Sequence, residues 1–433
     1  MREVLRGMGA SSLARFIVLP VTAVAAAITT YLVVSYAGAD AYGYVSLIST
    51  LFLLLPFADL GVGAAIATAT ARRGESSYLA HQAENLVTRA FRVLILSGAV
   101  ILVGASVIAL LGLWPNLLGI PASLGAGANW VVVLVLIPFA VSLPLGIGQR
   151  ILLGERKNHY ANLASGFGPV LATLVTLLLI GLKVPPLMLA AATPVGVAAV
   201  SAISMWLAFR VSGWNWRLLI RPIGRRDRGE PLWRTAIPMF VISVAITAAM
   251  QSDRLVLAHV GSPDELAKYS LAAQFYAPGY SLLATAAITL WPVFARAKEG
   301  SLRIWRNTLL VMGLLGLTAG ICFAIAIAPI ARLVSGDQIT VPALLAISFG
   351  SLLFVMALHQ PSAMLLTAPR LLAFQAVCSV MMLVINLPLS IFLVEYLGSA
   401  GPVAASVVAV TVANLIPGMV RARSHLRGRV EEK

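Results

Sequence analysis

The chain has 433 residues, of which 60% are hydrophobic and only 11% charged, and its mean hydropathy is +0.93. A soluble domain carries about a quarter charged residues, so this chain has too little polar surface to clothe a water-soluble enzyme. In a soluble protein the net charge of +15 would suggest nucleic acid, but in a membrane protein Lys and Arg collect in cytoplasmic loops for topological reasons alone, and no nucleic-acid partner is expected.

Apolar runs bounded by charged or turn residues mark twelve spans, taken here in chain order. The first, 13–36, follows Arg2 and Arg6 and begins with Arg15. Ala25-Ala26-Ala27 imitates a signal-peptidase site, but the run continues through Val34 and is read as a retained helix. Arg15 serves either as a topological anchor or as part of an entrance for an anionic headgroup. The second span, 43–71, holds Asp59 near its middle, in Phe57-Ala58-Asp59-Leu60-Gly61-Val62-Gly63. A carboxylate at that depth costs about 2.5–3.5 kcal/mol on insertion scales, so it should face a hydrated cavity or a polar partner. Its alternative role is to cap an amide freed where the glycines bend the helix. Arg72 and Arg73 follow at the cytoplasmic end. Spans 91–113 and 129–152 come next, the latter closing on Gln149 and Arg150, an interfacial anchor or an inward-facing cation. Spans 162–181 and 187–210 complete the first six.

After a basic loop, 211–234, span 235–258 carries Gln251, Asp253 and Arg254 toward its outer end. Adjacent helix positions point about 100° apart, so the two charges need not pair. Arg254 either snorkels outward or points inward, where it is suited to bidentate contact with an anion. Span 270–294 holds Gln274, and 308–331 contains Gly316-x-x-x-Gly320, a spacing that lets two helices approach closely. His359-Gln360 precedes Pro361 in 341–366; a lone histidine there is either hydrogen-bonded to a neighbouring helix or a proton relay. Spans 371–393 and 401–420 end the series with Asn386 and Asn414, which, like Gln274, suit interhelical hydrogen bonds.

The charge distribution tests this map. With both termini cytoplasmic, every one of the 31 Lys and Arg falls on that side except Lys183, Lys268, Arg332 and the intramembrane Arg254. One missed span would scramble that asymmetry. The expected fold is therefore an all-α polytopic membrane protein of twelve transmembrane helices. Its parts are a cytoplasmic segment 1–12, a six-helix bundle 13–210, the linker 211–234, a second bundle 235–420 and a basic tail 421–433. Weak repetition links the halves: Gly38-Ala39-Asp40 with Tyr44 and Leu47 recurs as Gly261-Ser262-Pro263-Asp264 with Tyr269 and Leu271, and Pro56 has a counterpart in Pro278. Two six-span halves in the same orientation follow, with a substrate site between them near mid-membrane.

No Gly-Lys dipeptide is present to end a phosphate-cradling loop, and neither HExxH nor GxSxG occurs. Cys322 and Cys378 both lie inside apolar runs, which indicates neither a disulfide framework nor a metal site. No cofactor and no enzymatic activity are expected.

The segment Pro56-Phe57-Ala58-Asp59-Leu60-Gly61-Val62-Gly63-Ala64 resembles the Asp-Leu-Gly stretch of Wzx-type polysaccharide exporters. These lipid-linked oligosaccharide flippases share the MOP superfamily with MATE drug antiporters. Ser252-Asp253-Arg254-Leu255-Val256-Leu257, then Gly261 and Tyr269-Ser270-Leu271, resembles the family's opening of its second half, and Leu152-Leu153-Gly154-Glu155-Arg156 its fourth-span exit. The resemblance implies two pseudo-symmetric six-helix bundles in the inner (cytoplasmic) membrane, alternating around a cationic central cavity. The implied cargo is a polyprenyl-pyrophosphate-linked glycan, with membrane lipid as a second partner and H+ or Na+ as an optional coupling ion. The expected cavity residues are Asp59, Gln251, Asp253, Arg254, Gln274, His359 and Gln360, and the cytoplasmic entrance is formed by Arg15, Arg72, Arg73 and Arg150. This sequence departs from a strongly cationic cavity, because Arg254 is its one clear intramembrane cation. Two other readings compete: a MATE-like ion-coupled drug antiporter, which Asp59 allows and Arg254 opposes, and a membrane-embedded glycan polymerase or ligase. The latter usually exposes a sizeable external loop, which these short connections do not supply.

Overall fold

The computed structural model describes residues 2–51, 62–124, 127–155, 157–222, 233–288, 301–366 and 371–431. Asp59 lies outside the described residues, as does the side chain of Arg15. Among the described residues the chain is all helix and turn, with no strand, and it divides into two compact units, Met1–Trp233 and Arg234–Lys433.

In the first unit, α1 (Arg2–Ala37), α2 (Ala39–Ser49), α3 (Val62–Arg72) and α4 (Ser77–Leu110) are followed by the single turn α5 (Trp114–Leu117). The Ser76 hydroxyl accepts from Leu79 N at 3.2 Å, which starts α4 well before the apolar run and carries the amphipathic stretch with Arg89 and Arg92 into the helix. The expected fourth span is two helices, α6 (Ala128–Leu145) and α7 (Ile147–Gly154), parted at Gly146 just after Pro144. Pro144 has no N–H to donate and its ring crowds the preceding turn. The fifth is likewise α8 (Asn158–Ser165) and α9 (Phe167–Gly181), and the sixth is α10 (Ala192–Ser212) after a short 3-10 turn, Pro186–Ala191. Ile66, Val87, Ile151, Leu152, Met205 and Phe209 form one buried core in this unit.

The second unit comprises α11 (Trp233–Val260), α12 (Pro263–Ile288), α13 (Ser301–Ser335), α14 (Ala343–Leu365) and α15 (Leu372–Leu397), then α16 (Gly401–Ala409) and α17 (Ile416–Glu431) joined by a π-helical turn, Val410–Leu415. Pro417 explains that wide turn, since it removes one i→i−4 bond and pushes away the carbonyl of Ala413. A reciprocal capping box opens α12: Ser262 N donates to Glu265 Oε2 at 2.8 Å and Glu265 N to Ser262 Oγ at 3.2 Å, with Pro263 as the first helical residue. Its repeat counterpart, Gly38 (φ +85°), caps α2, so the repeated sequence occupies the same structural place in both units.

Helix pairs approach through small residues. A Cβ on Gly320 would lie 2.4 Å from the Gly350 carbonyl oxygen, and one on Gly350 would lie 2.6 Å from that of Gly320. The corresponding crossing of the first unit is looser, with Gly98 facing Ala140 O at 3.0 Å.

Eight helical stretches among the described residues are long and apolar enough to cross a membrane, the last of which, Leu372–Arg427, runs through the expected eleventh and twelfth spans. The remaining expected spans, 43–71, 235–258 and 270–294, all overlap helices, and each includes residues whose backbone or side chains lie outside the described set.

Candidate functional site

Polar groups inside the second unit converge on Asp253, which is 2% exposed. Four helices contribute. Tyr269 of α12 donates its hydroxyl to Asp253 Oδ2 at 3.2 Å, and Asn386 Nδ2 of α15 lies 3.5 Å from Oδ1 while donating to Ala249 O at 2.9 Å. Ser406 Oγ of α16 sits 3.4 Å from Asp253 Oδ2 and 3.2 Å from Asn386 Oδ1, so one hydroxyl proton serves two acceptors. The four residues come from separate helices and meet at one point in the bundle. Neutral donors thus surround the carboxylate, and no ion pair joins it to Arg254. The single-residue offset that suggested divergent faces has that consequence.

Arg254 is also buried, 8% exposed. Its Nη1 donates to Gln251 Oε1 at 2.8 Å, one turn earlier, and its guanidinium carbon lies 5.8 Å from the Tyr269 ring centroid. Its Nε is buried without a hydrogen-bond partner among the described residues. A buried guanidinium with donors to spare is receptive to an anion.

Tyr269, Tyr276 and Tyr280 recur on one face of α12 and form an aromatic row. Tyr276 and Tyr280 stack with centroids 6.1 Å apart, and Phe349 of α14 packs 5.5 Å from Tyr269 and 5.2 Å from Tyr276. Gln360 is buried and donates to Tyr280 Oη at 3.3 Å, at the other end of that row from Asp253. His359 faces α17 instead: a Cβ on Gly418 would lie 4.0 Å from its ring, and its Nδ1 is buried without a hydrogen-bond partner among the described residues. Gln274 is half-buried on α12. The structure therefore unites Gln251, Asp253 and Arg254, sets Gln360 on the tyrosine row, and separates His359 from both. Tyr269, Tyr276, Tyr280 and Ser406 were absent from the expected site; the i, i+7, i+11 spacing of the tyrosines was the available signal.

The sequence profile of the polysaccharide biosynthesis protein family matches residues 4–298, well over half of the chain. The chain belongs to the polysaccharide biosynthesis protein family. No curated protein matches it in sequence. Among solved structures it is similar to an inward-facing multidrug resistance transporter of the MATE family (15% identity, TM-score 0.76, covering 96% of this chain and 99% of that one). It is also similar to the lipid II flippase MurJ in an inward closed conformation (13% identity, TM-score 0.71, 96% and 87% covered). A third likeness is to a MOP superfamily transporter from Pyrococcus furiosus whose binding pocket has reversed polarity (16% identity, TM-score 0.67, 98% and 96% covered). The fold of this polysaccharide biosynthesis protein is thus that of MATE and MurJ, and it is a multi-pass membrane protein.

The residues expected at the cytoplasmic entrance of this family member divide. Arg73 is engaged: its Nε lies 2.5 Å from Glu155 Oε1, its Nη1 donates to Ser212 O at 3.0 Å, and it covers the Trp214 ring at 5.2 Å. It ties together the ends of α3, α7 and α10. Arg72 forms an exposed pair with Glu75 at 3.4 Å. Arg150 is exposed and lies across α3, with Nε where a Cβ on Gly63 would come within 2.6 Å. That glycine is the last residue of the Asp-Leu-Gly-Val-Gly sequence and the only one of it that the described contacts bring to Arg150.

Proposed function

We propose that this polysaccharide biosynthesis protein is a flippase of the cytoplasmic membrane. It carries a polyprenyl-pyrophosphate-linked oligosaccharide from the cytoplasmic to the outer leaflet. The observation that carries this reading is Arg254, buried inside the helix bundle, held by Gln251 and Tyr269, with an Nε that has no hydrogen-bond partner among the described residues. Such a group suits a phosphate on the cargo rather than a cationic drug. Each sugar hydroxyl costs several kcal/mol to bury unpaired, whereas the polyprenyl tail stays in hydrocarbon throughout. The protein need only supply polar contacts to the headgroup while access alternates between the two membrane faces. With a potential negative inside, each anionic charge moved outward gains about 2.3 kcal/mol per 100 mV, so a pyrophosphate can be driven without a coupled ion. Asp59 belongs to the same proposal as a cavity carboxylate.

The test is transport of a fluorescent lipid-linked oligosaccharide in proteoliposomes. A charge-assisted hydrogen bond is worth about 1.5–3 kcal/mol, so Arg254→Ala should slow transport roughly ten- to a hundredfold, with partial rescue in Arg254→Lys. Wild-type rates in both Arg254→Ala and Asp59→Asn, with normal insertion, would remove these residues from the path. Ion-driven export of a cationic dye without any glycan movement would instead establish the antiporter reading.

A further inference from the structure

At the basic end of the second unit a cleft of about 800 Å³ opens between the start of α13 and α17. Among the described residues three arginines line it, Arg303, Arg306 and Arg423, and no acidic residue does. All three are exposed, and among the described residues none has a carboxylate partner. The rest of the lining is apolar. Leu302, Ile416 and Val420 are themselves exposed, as side chains facing acyl chains would be, while Trp305 and Leu309 form a buried floor packed on Ala422 and Leu426. Arg423 and Ile416 stand on one face of α17 seven residues apart, so the cation lies roughly 10 Å beyond the apolar base. The positive-inside asymmetry assigns this end to the cytoplasm, where anionic lipids give the leaflet its negative surface.

We propose that this cleft is a binding site for an anionic glycerophospholipid of the cytoplasmic leaflet. The headgroup phosphate lies among Arg303, Arg306 and Arg423, and the glycerol and upper acyl chains lie over Leu302, Ile416 and Val420. Two features select this occupant: a cationic mouth with no counter-charge among the described residues, and a continuous apolar wall leading from it toward lipid. A soluble phosphate would use the mouth and leave the wall in water. The site is contained in one unit and does not depend on what the chain transports.

The full-length protein, purified and delipidated in a neutral detergent, would be titrated with phosphatidylglycerol and bound lipid counted by native mass spectrometry. Each arginine near an anionic headgroup is worth about fivefold in affinity, so the triple substitution of Arg303, Arg306 and Arg423 by Ala should weaken binding about a hundredfold. The corresponding triple Lys variant should stay close to wild type, as should Arg421→Ala, which removes a nearby exposed charge outside the cleft. If the triple Ala variant does not fold, Arg306→Gln and Arg423→Gln singly should each weaken binding about fivefold. Phosphatidylcholine binding as tightly as phosphatidylglycerol, or unchanged affinity in the Ala and Gln variants, would overturn the proposal. So would one-for-one displacement of the bound phospholipid by polyprenyl phosphate, which would assign the cleft to the transported lipid.

Discussion

At the scale of single residues, the second unit depends on one carboxylate satisfied by neutral donors. Asn386 is the hub, because its amide reaches both Ala249 O and Asp253 while its own oxygen faces Ser406. Asn386→Ala should therefore lower the unfolding free energy by about 1–2 kcal/mol, read as a drop in melting temperature in detergent, whereas Gln375, bonded to Ala363 O on another face, is not part of this network. In the first unit Glu155 offers a pH test. Burial pushes its carboxyl above the ordinary 4.5, and the nearby Arg73 cation only partly offsets this. The folded chain then holds that proton more tightly than the unfolded one, so the stabilisation is present in acid and is lost as pH rises through the folded-state value. Melting temperatures of the wild type should fall more than those of Glu155→Gln as pH is raised from 4.5; parallel curves would remove Glu155 as the source. Asp253 and Arg254 were recognisable from their rarity in an apolar run. Ser406 was not, since a serine in a span is ordinary until a carboxylate is seen beside it.

At the scale of elements, the Gly316-x-x-x-Gly320 spacing announced a close helix approach without naming its partner. The partner is α14, through Gly350, Phe354 and Ala357. Because backbone meets backbone there, a methyl group has no side chain to displace. Gly320→Ala should cost about 1–3 kcal/mol as an overpacked crossing, while Gly104→Ala, on α4 with nothing within 4 Å, should be neutral or slightly stabilising. Equal melting temperatures for the two variants would contradict this crossing. Apolar runs located the helices well but misplaced several ends. The Ser76 cap and the polar starts of α4 and α13 extend helices beyond their hydrophobic stretches, and Pro144 and Pro417 interrupt runs that hydropathy alone reads as continuous.

At the scale of the whole molecule, the Lys and Arg asymmetry makes a statement about sidedness that labelling can check. In a cysteine-free background, Lys183→Cys should react with an impermeant maleimide added outside intact cells, and Arg217→Cys only after the membrane is opened. The reverse pattern would invert the topology. Arg217 belongs to a stretch already anchored to the first unit, where Arg221 pairs with Glu84 at 3.4 Å and Arg92 Nη2 donates to Arg221 O at 2.6 Å, so its accessibility reports the bundle and not a loose tail.

Read alone, the sequence determined what depends on each segment separately: that the chain lives in a membrane, where its helices run, which side its loops prefer and which few polar residues are costly enough to need a purpose. Those properties follow from transfer free energies, which add residue by residue. Only the tertiary structure decided who satisfies whom. Asp253 meets residues 16, 133 and 153 positions away, Arg254 turns to Gln251 and an aromatic ring instead of its neighbour, and three arginines from two distant segments share one cleft. Such pairings depend on which helices pack together and at what height, and hydropathy, blind to the partner, carries no record of them.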